Sequence, residues 1–239
     1  MVSPAPGAGL SRAFVVLLLP LTALAGRPLV TEDASTLDDK ACQLESWVDR
    51  TRGNVTDLSF VPACSWLGVE WQAGAVRTRL GGRSATSSAF VQGKHAFRDV
   101  GDGTWGIGLV AGLARELGRE NENGWGDSYF IVPVSVGLGE NKDSRALLHL
   151  NVGAARDRSE GRNLTRWGLA IEKPVTPRLS LLAEAFGMNA SKPFLRAGGR
   201  YAVTGKLALD FTVVTRAGAP RDERFVSAGF HLETDPFLP

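Results

Sequence analysis

In Phe130-Ile131-Val132-Pro133-Val134-Ser135-Val136-Gly137-Leu138, one side of an extended chain carries Phe130, Val132, Val134, Val136 and Leu138. The other side carries Ile131, Pro133, Ser135 and Gly137. Successive side chains of a β-strand point to opposite faces, so this is a strand with one fully apolar face. Three neighbouring stretches repeat the pattern. Trp105, Ile107, Leu109, Ala111 and Leu113 oppose Gly106, Gly108, Val110 and Gly112. Ala146, Leu148, Leu150, Val152 and Ala154 oppose Leu147, His149, Asn151 and Gly153. Leu207, Leu209, Phe211 and Val213 oppose Ala208, Asp210 and Thr212.

Weaker versions extend the period of two in both directions. Val69, Trp71, Ala73 and Ala75 oppose Glu70, Gln72 and Gly74, and Trp167, Leu169 and Ile171 oppose Arg166, Gly168 and Glu172. Leu179–Phe186, Leu195–Val203 and Val226–Leu232 follow suit, while Ser84–Phe97 is ambiguous. Breakers separate these segments at Gly81–Arg83, Asp99–Gly103, Gly118–Gly126, Gly139–Ser144, Ser159–Arg162, Thr176-Pro177, Asn189–Lys192, Thr204-Gly205 and Gly218–Asp222. Regular strands with turn clusters between them predict an all-β, up-and-down architecture. No stretch after the N-terminus has helical periodicity.

Alternation does not say which face is wet. In a soluble sandwich the apolar face is the core. In a transmembrane barrel it meets lipid, and the second face lines the lumen. Three features favour the barrel. The second face is rich in glycine as well as charge. Short connections (Thr176-Pro177, Thr204-Gly205) alternate with longer ones (Gly118–Gly126, Gly218–Asp222). Trp71, Trp105, Trp125, Tyr129, Trp167, Tyr201 and Phe225 fall near segment ends, where interfacial aromatic girdles would put them. The expected fold is an antiparallel up-and-down transmembrane β-barrel of about 10–12 strands, since bacterial barrels close with an even number.

The ends of the chain set its compartment. Arg12, the apolar Ala13–Leu24 and the Ala23-Leu24-Ala25 site make residues 1–25 a cleavable signal peptide. Residues 26–41 are polar and are expected to form a flexible N-terminal lead-in, with 42–239 as a single barrel domain. Export favours a disulfide between the two cysteines, Cys42 and Cys64, which close a predicted hairpin. No His or further Cys stands at ligand spacing from them, so no metal or cofactor is expected. A net charge of +2 gives no reason to expect a nucleic-acid partner.

KACQLESWVDR (Lys40–Arg50), VPACSWLGVEWQAGAVRTR (Val61–Arg79), TWGIGLVAG (Thr104–Gly112), AEAFGMNASKPFLRAGGRYAV (Ala183–Val203) and the terminal DPFLP (Asp235–Pro239) resemble a family of uncharacterised proteobacterial outer-membrane β-barrel proteins. That resemblance implies a Gram-negative outer-membrane location and, at most, a porin-like or transporter-like label. The implied partners are outer-membrane lipid and, during biogenesis, the export pathway and the barrel-assembly machinery. The chain departs from many such barrels at its end. Phe225–Leu232 is amphipathic, but the sequence runs on through Asp235-Pro236 to Pro239.

Enzymatic signatures are absent: no H-E-x-x-H, G-x-S-x-G or P-loop occurs. His149, His231, Ser135, Ser180 and Ser227 fall on inward faces, which would allow a Ser/His pair of the kind a lipid-modifying barrel uses. Lumen filler is the better account of them. The inward charges are the distinctive set: Glu70, Lys94, Arg166, Glu172, Glu184, Arg196, Arg200 and Asp210. In a narrow barrel they would pair and close the lumen, and in a wider one they would line a weakly selective pore for small solutes. The expected function is therefore a porin-like passive channel. The alternatives are a closed structural or surface-interaction barrel acting through loops such as Gly118–Gly126, and a lipid-active enzyme.

Overall fold

Alternating segments separated by turn residues close here into one antiparallel sheet. A computed structural model of the chain describes residues 28–81, 83–117, 126–139, 145–158, 161–189, 191–218 and 223–238. Its strands are β1 (Cys42–Thr51), β2 (Val55–Trp66), β3 (Val69–Leu80), β4 (Arg83–Arg98), β5 (Trp105–Leu117), β6 (Asp127–Leu138), β7 (Ala146–Asp157), β8 (Arg162–Pro174), β9 (Leu179–Met188), β10 (Phe194–Ala202), β11 (Leu207–Arg216) and β12 (Phe225–Glu233). Each strand pairs with its sequence neighbours, and β12 pairs with β1 from Gln43↔Glu233 to Thr51↔Phe225. Closure leaves no unpaired sheet edge. The signal-peptide segment lies outside the described residues, as do Trp125 and residues 118–125 of the Gly118–Gly126 loop.

The outer wall is apolar. Phe60, Leu109, Phe130, Leu150, Leu169, Leu195, Phe211 and Val226 all face outward and are exposed. Trp66, Trp71, Phe97, Trp105 and Tyr201 gather at the end of the barrel where β1 begins and β12 ends, its terminal end. Two expected girdle aromatics point the other way. Tyr129 shares its phase with Ile131, Pro133 and Ser135, so it is buried inside, where it donates to Gln92 at 2.8 Å. Phe225 packs inward against Phe186, Phe194 and Val214. Position near a strand end does not choose a face; the alternation does.

Local chemistry sets the turns at the terminal end. β2 and β3 join through Leu67 (φ 56°) and Gly68 (φ 75°). Two consecutive positive φ values give the tight turn whose twist matches a hairpin. Cys42 and Cys64 face each other across β1 and β2 and form a disulfide, with their Cα atoms 4.0 Å apart. The run-on after β12 is absorbed here too. The Thr234 N–H donates to the Cys42 carbonyl (2.8 Å) and the Phe237 N–H to the Lys40 carbonyl (3.0 Å), extending the pairing past the last strand.

The lead-in, expected to be flexible and outside the barrel, lies within it. Leu29, Val30, Thr31, Glu32 and Ala34 are all buried. Twelve strands enclose more space than their own side chains fill. The inward glycines enlarge that space, and this segment occupies it.

Candidate functional site

A polar strand with no apolar face can be buried only if its main-chain groups find partners. The lumen wall provides them from many directions. At one side of the barrel, Arg196 (β10) donates to the Pro28 carbonyl. The Glu184 carboxylate (β9) accepts the N–H of Val30 (3.0 and 3.1 Å), the N–H of Thr31 (3.0 Å) and the Thr31 hydroxyl (2.9 Å). Asn151 (β7) then binds Glu32 at two points. Its Oδ1 accepts the Glu32 N–H at 2.7 Å, and its Nδ2 donates to the Glu32 carbonyl at 2.8 Å, as a neighbouring strand would.

Further along, the Ser135 hydroxyl (β6) accepts the Ala34 N–H at 2.8 Å. The Ala34 carbonyl accepts from the Val100 N–H at 3.0 Å, in the β4–β5 connection. Asp99 accepts the Thr36 N–H (3.2 Å) and Glu70 (β3) the Leu37 N–H (3.0 Å), after which the chain turns into β1. Val30, Thr31, Glu32, Ala34, Thr36 and Leu37 thus each present an N–H to a wall acceptor. The segment crosses the lumen from β9 and β10 to β3 and then runs on into β1.

Its side chains are held as well. Lys94 (β4) is buried between the carboxylates of Asp33, to which it hydrogen bonds, and Glu32 at 3.5 Å. Leu29 packs on Ala170 and Leu182, and Val30 on Phe186, Phe194 and Val214. Gly168 makes room for Thr31: a Cβ there would stand 2.5 Å from the Thr31 hydroxyl oxygen. Towards the loop end, Trp47, Val61, Val76, Phe90, Val110, Tyr129 and Ile131 form an apolar cluster inside the barrel.

The charged residues singled out from sequence all lie on the inner wall, in three different settings. Glu70, Lys94, Glu184 and Arg196 hold the segment. Glu172 and Arg200 pair with each other at 3.2 Å and are partly open towards the terminal end. Arg166 lies over the Tyr129 ring, with 5.3 Å to its centroid, and Asp210 stands directly opposite Arg200 in the ladder. Register explains much of the pairing. Glu70↔Lys94, Glu184↔Arg196 and Arg200↔Asp210 are direct cross-strand partners of opposite charge, the arrangement that stabilises a ladder. Glu184 and Arg196 close to 3.2 Å.

Ser135 and His149 are also cross-strand neighbours, 2.8 Å apart through the hydroxyl and Nδ1. The hydroxyl is fully buried under Ala34, whose N–H it already accepts. His231 instead pairs with Glu45 at 3.2 Å near the terminal end. Among the described residues no group of three or more His, Cys, Asp or Glu side chains could hold a metal ion. Sequence reasoning passed over Glu32 and Asp33, because a short polar segment carries no periodic signal, and it placed Asn151 on the inner face without giving it a role. The inward glycines, which leave the wall without side chains where a main chain approaches, were the available clue.

The model of the family described as uncharacterised conserved protein UCP029691 matches residues 13–233. The chain belongs to that family. No curated protein sequence matches it. Among solved structures it is similar to the KdgM porin, at a TM-score of 0.58 and 6% identity, over 81% of this chain and 99% of that one. It is also similar to the COG4313 outer-membrane channel of Pseudomonas putida F1 (TM-score 0.53, 9% identity, 84% and 98% covered). The Acinetobacter baumannii outer-membrane protein Omp33 follows at TM-score 0.50 and 9% identity, with 82% and 98% covered. At such identities the likeness is one of fold, and the fold is that of outer-membrane porin barrels.

Proposed function

We propose that this chain is an exported outer-membrane barrel that works as a porin-like channel for small solutes, closed at rest by its own residues 28–41. The observation that carries the reading is the manner of closure. The lumen is stopped by a segment that runs on into β1 and is held by polar contacts, while charged pairs line the wall around it. A barrel with a purely structural role needs only wall side chains packed to native density. A segment that can withdraw leaves an inner wall bearing Glu70, Lys94, Glu172, Glu184, Arg196, Arg200 and Asp210, which would pass hydrated solutes with weak charge selection. The apolar outer wall and the aromatic ring at the terminal end support a lipid setting.

The Ser135–His149 pair is read here as a support for Ala34 rather than as an enzyme's nucleophile and base. A nucleophile must reach its substrate, and while the segment is seated this hydroxyl is covered by Ala34 and bonded to its N–H.

The test is planar-bilayer conductance of the full-length protein and its Lys94→Ala/Glu184→Ala variant, both shown to be folded by a heat-dependent gel shift. The wild type should be mostly closed, and the variant should raise the open probability by about tenfold or more. A folded variant that never conducts would leave the closed, surface-interaction barrel as the reading to keep.

A further inference from the structure

The contacts inside the lumen read a main chain more than a particular sequence. Acceptors from β9, β7, β6 and β3 and from Asp99 each take a backbone N–H of residues 30–37, and Asn151 pairs with both main-chain polar groups of one residue, Glu32. Any polypeptide that follows the same path offers the same N–H groups, because every non-proline residue carries one. Apart from the Thr31 hydroxyl, which also bonds Glu184, side-chain selection falls in two places. The first is an apolar pair of pockets, with Ala170 and Leu182 beneath Leu29 and Phe186, Phe194 and Val214 around Val30. The second is Lys94, which takes the two acids Glu32 and Asp33. This is the layout of a peptide-binding groove, in which main-chain bonds give affinity and a few pockets give specificity.

We infer that the lumen is a receptor for an extended peptide bearing two apolar residues followed by two acidic ones, occupied at rest by residues 28–37 and open to such a segment from another polypeptide. The inference rests on the reading of residues 28–41 as displaceable. Emptied of any peptide, Glu184, Arg196, Asn151 and Lys94 would exchange their main-chain and carboxylate partners for water, and a second chain of the same chemistry would restore those contacts. An incoming acidic segment would act as the ligand that frees the resident one.

The experiment starts from the complete, folded chain. A protease site is inserted between Asp38 and Asp39, which are both exposed. The folded barrel is nicked there and mixed with a fluorescent synthetic peptide of residues 28–38. Anisotropy follows uptake, and mass spectrometry follows release of the native segment. Uptake of the label with release of the native segment, saturating at about 10 μM or below, supports the receptor. A peptide with Ala in place of Ser35 and Thr36 should bind within about threefold, because the Ser35 hydroxyl bonds Asp33 within the segment itself and Thr36 is held through its N–H. The Glu32→Ala/Asp33→Ala peptide should bind at least tenfold more weakly, about 1.4 kcal/mol or more.

Release of the native segment without uptake at about 100 μM peptide would overturn the inference. So would a segment that stays seated with no uptake even in the Lys94→Ala barrel, since a site that never exchanges is a plug and no receptor. Equal binding of the acid-free peptide would overturn the stated ligand class. None of these readouts involves conductance. A barrel that exchanges peptide yet never conducts would remove the channel reading and leave the receptor standing.

Discussion

Glu184→Ala should free the start of the luminal segment while leaving the barrel folded. Glu184 accepts from the Val30 N–H, the Thr31 N–H and the Thr31 hydroxyl and lies 3.2 Å from Arg196, all within the buried lumen. Hydrogen bonds to a charged group contribute about 1.5–3 kcal/mol each, but they are not additive where one carboxylate serves them all. Removing it also strands the buried Arg196 guanidinium, and breaking a buried pair costs roughly 3–5 kcal/mol. Taking about 4 kcal/mol, the equilibrium for undocking Val30 and Thr31 should rise by about a thousandfold. Hydrogen exchange on the full-length protein in detergent reads this directly. The Val30 and Thr31 amides should lose about three orders of magnitude of protection, while those of β9 and β10 keep theirs. Glu184→Ala/Arg196→Met should recover part of the loss, because it removes the orphaned charge. Protection of Val30 and Thr31 that changes by less than about tenfold, or that falls equally in every strand, would refute the argument that this carboxylate holds the segment.

Other expectations follow from the same geometry. Gly168→Val should undock the segment, because even a Cβ would stand 2.5 Å from the Thr31 oxygen, and overpacking of this kind costs roughly 1–3 kcal/mol. Its signature is faster proteolysis at Asp38-Asp39 with an unchanged heat-dependent gel shift. Reducing Cys42–Cys64 should lower the unfolding midpoint in urea, since closing a loop of this size is worth about 3 kcal/mol in the chain-entropy account; an unmoved midpoint would mean the β1–β2 pairing already restricts the unfolded chain. Docking should also depend on pH. Burial pushes the Glu32 carboxyl up to about 8, against the pull of Lys94 and the Gln92 hydrogen bond, and the nearby Asp33 and Glu70 add to the rise. The docked state therefore holds this proton more tightly than the free segment does. Through Glu32, docking should weaken by up to about tenfold per pH unit as pH rises from about 4.5 towards 8 and level off above, while at acid pH protonation of Asp33, whose carboxyl burial would raise but Lys94 holds down, weakens it again. Glu32→Gln should flatten that profile, read as the urea concentration that releases a fluorophore attached through Asp38→Cys.

What the sequence makes legible is the wall. Alternation in Phe130–Leu138 and its neighbours places apolar side chains outside and Ser135, His149, Asn151 and Asp210 inside, and the same phase assigns Tyr129 to the interior although its nearness to a strand end suggests a girdle. Where two cues conflict, periodicity prevails because it is a property of the backbone, while end position is only a correlation. The partners of the inward charges were within reach as well. Pairing consecutive strands through their turns brings Glu70 to Lys94, Glu184 to Arg196 and Arg200 to Asp210. Residues 28–37 were not legible in this way. Their contacts join positions more than a hundred residues apart, such as Val30 with Glu184 and Glu32 with Asn151, and they run through main-chain atoms that every residue possesses.

Barrel width still implies that something had to be there. With twelve strands the interior is wider than eight strands leave and narrower than an aqueous porin channel. Its wall is notched by glycine at Gly106 and Gly168, where a Cβ would meet the Ala34 carbonyl at 2.9 Å or the Thr31 hydroxyl at 2.5 Å. Water could fill such a space next to paired charges, but the Asn151 side chain and the Glu184 carboxylate are aimed at groups spaced as peptide N–H groups are. An inner wall with acceptors for successive N–H groups and notches at main-chain height is complementary to a polypeptide. Residues 28–37 meet that demand from within the same chain, because they lie next to β1 in sequence. The wall's complementarity is to the backbone of that segment, and this is the physical reason another extended chain can compete for the same place.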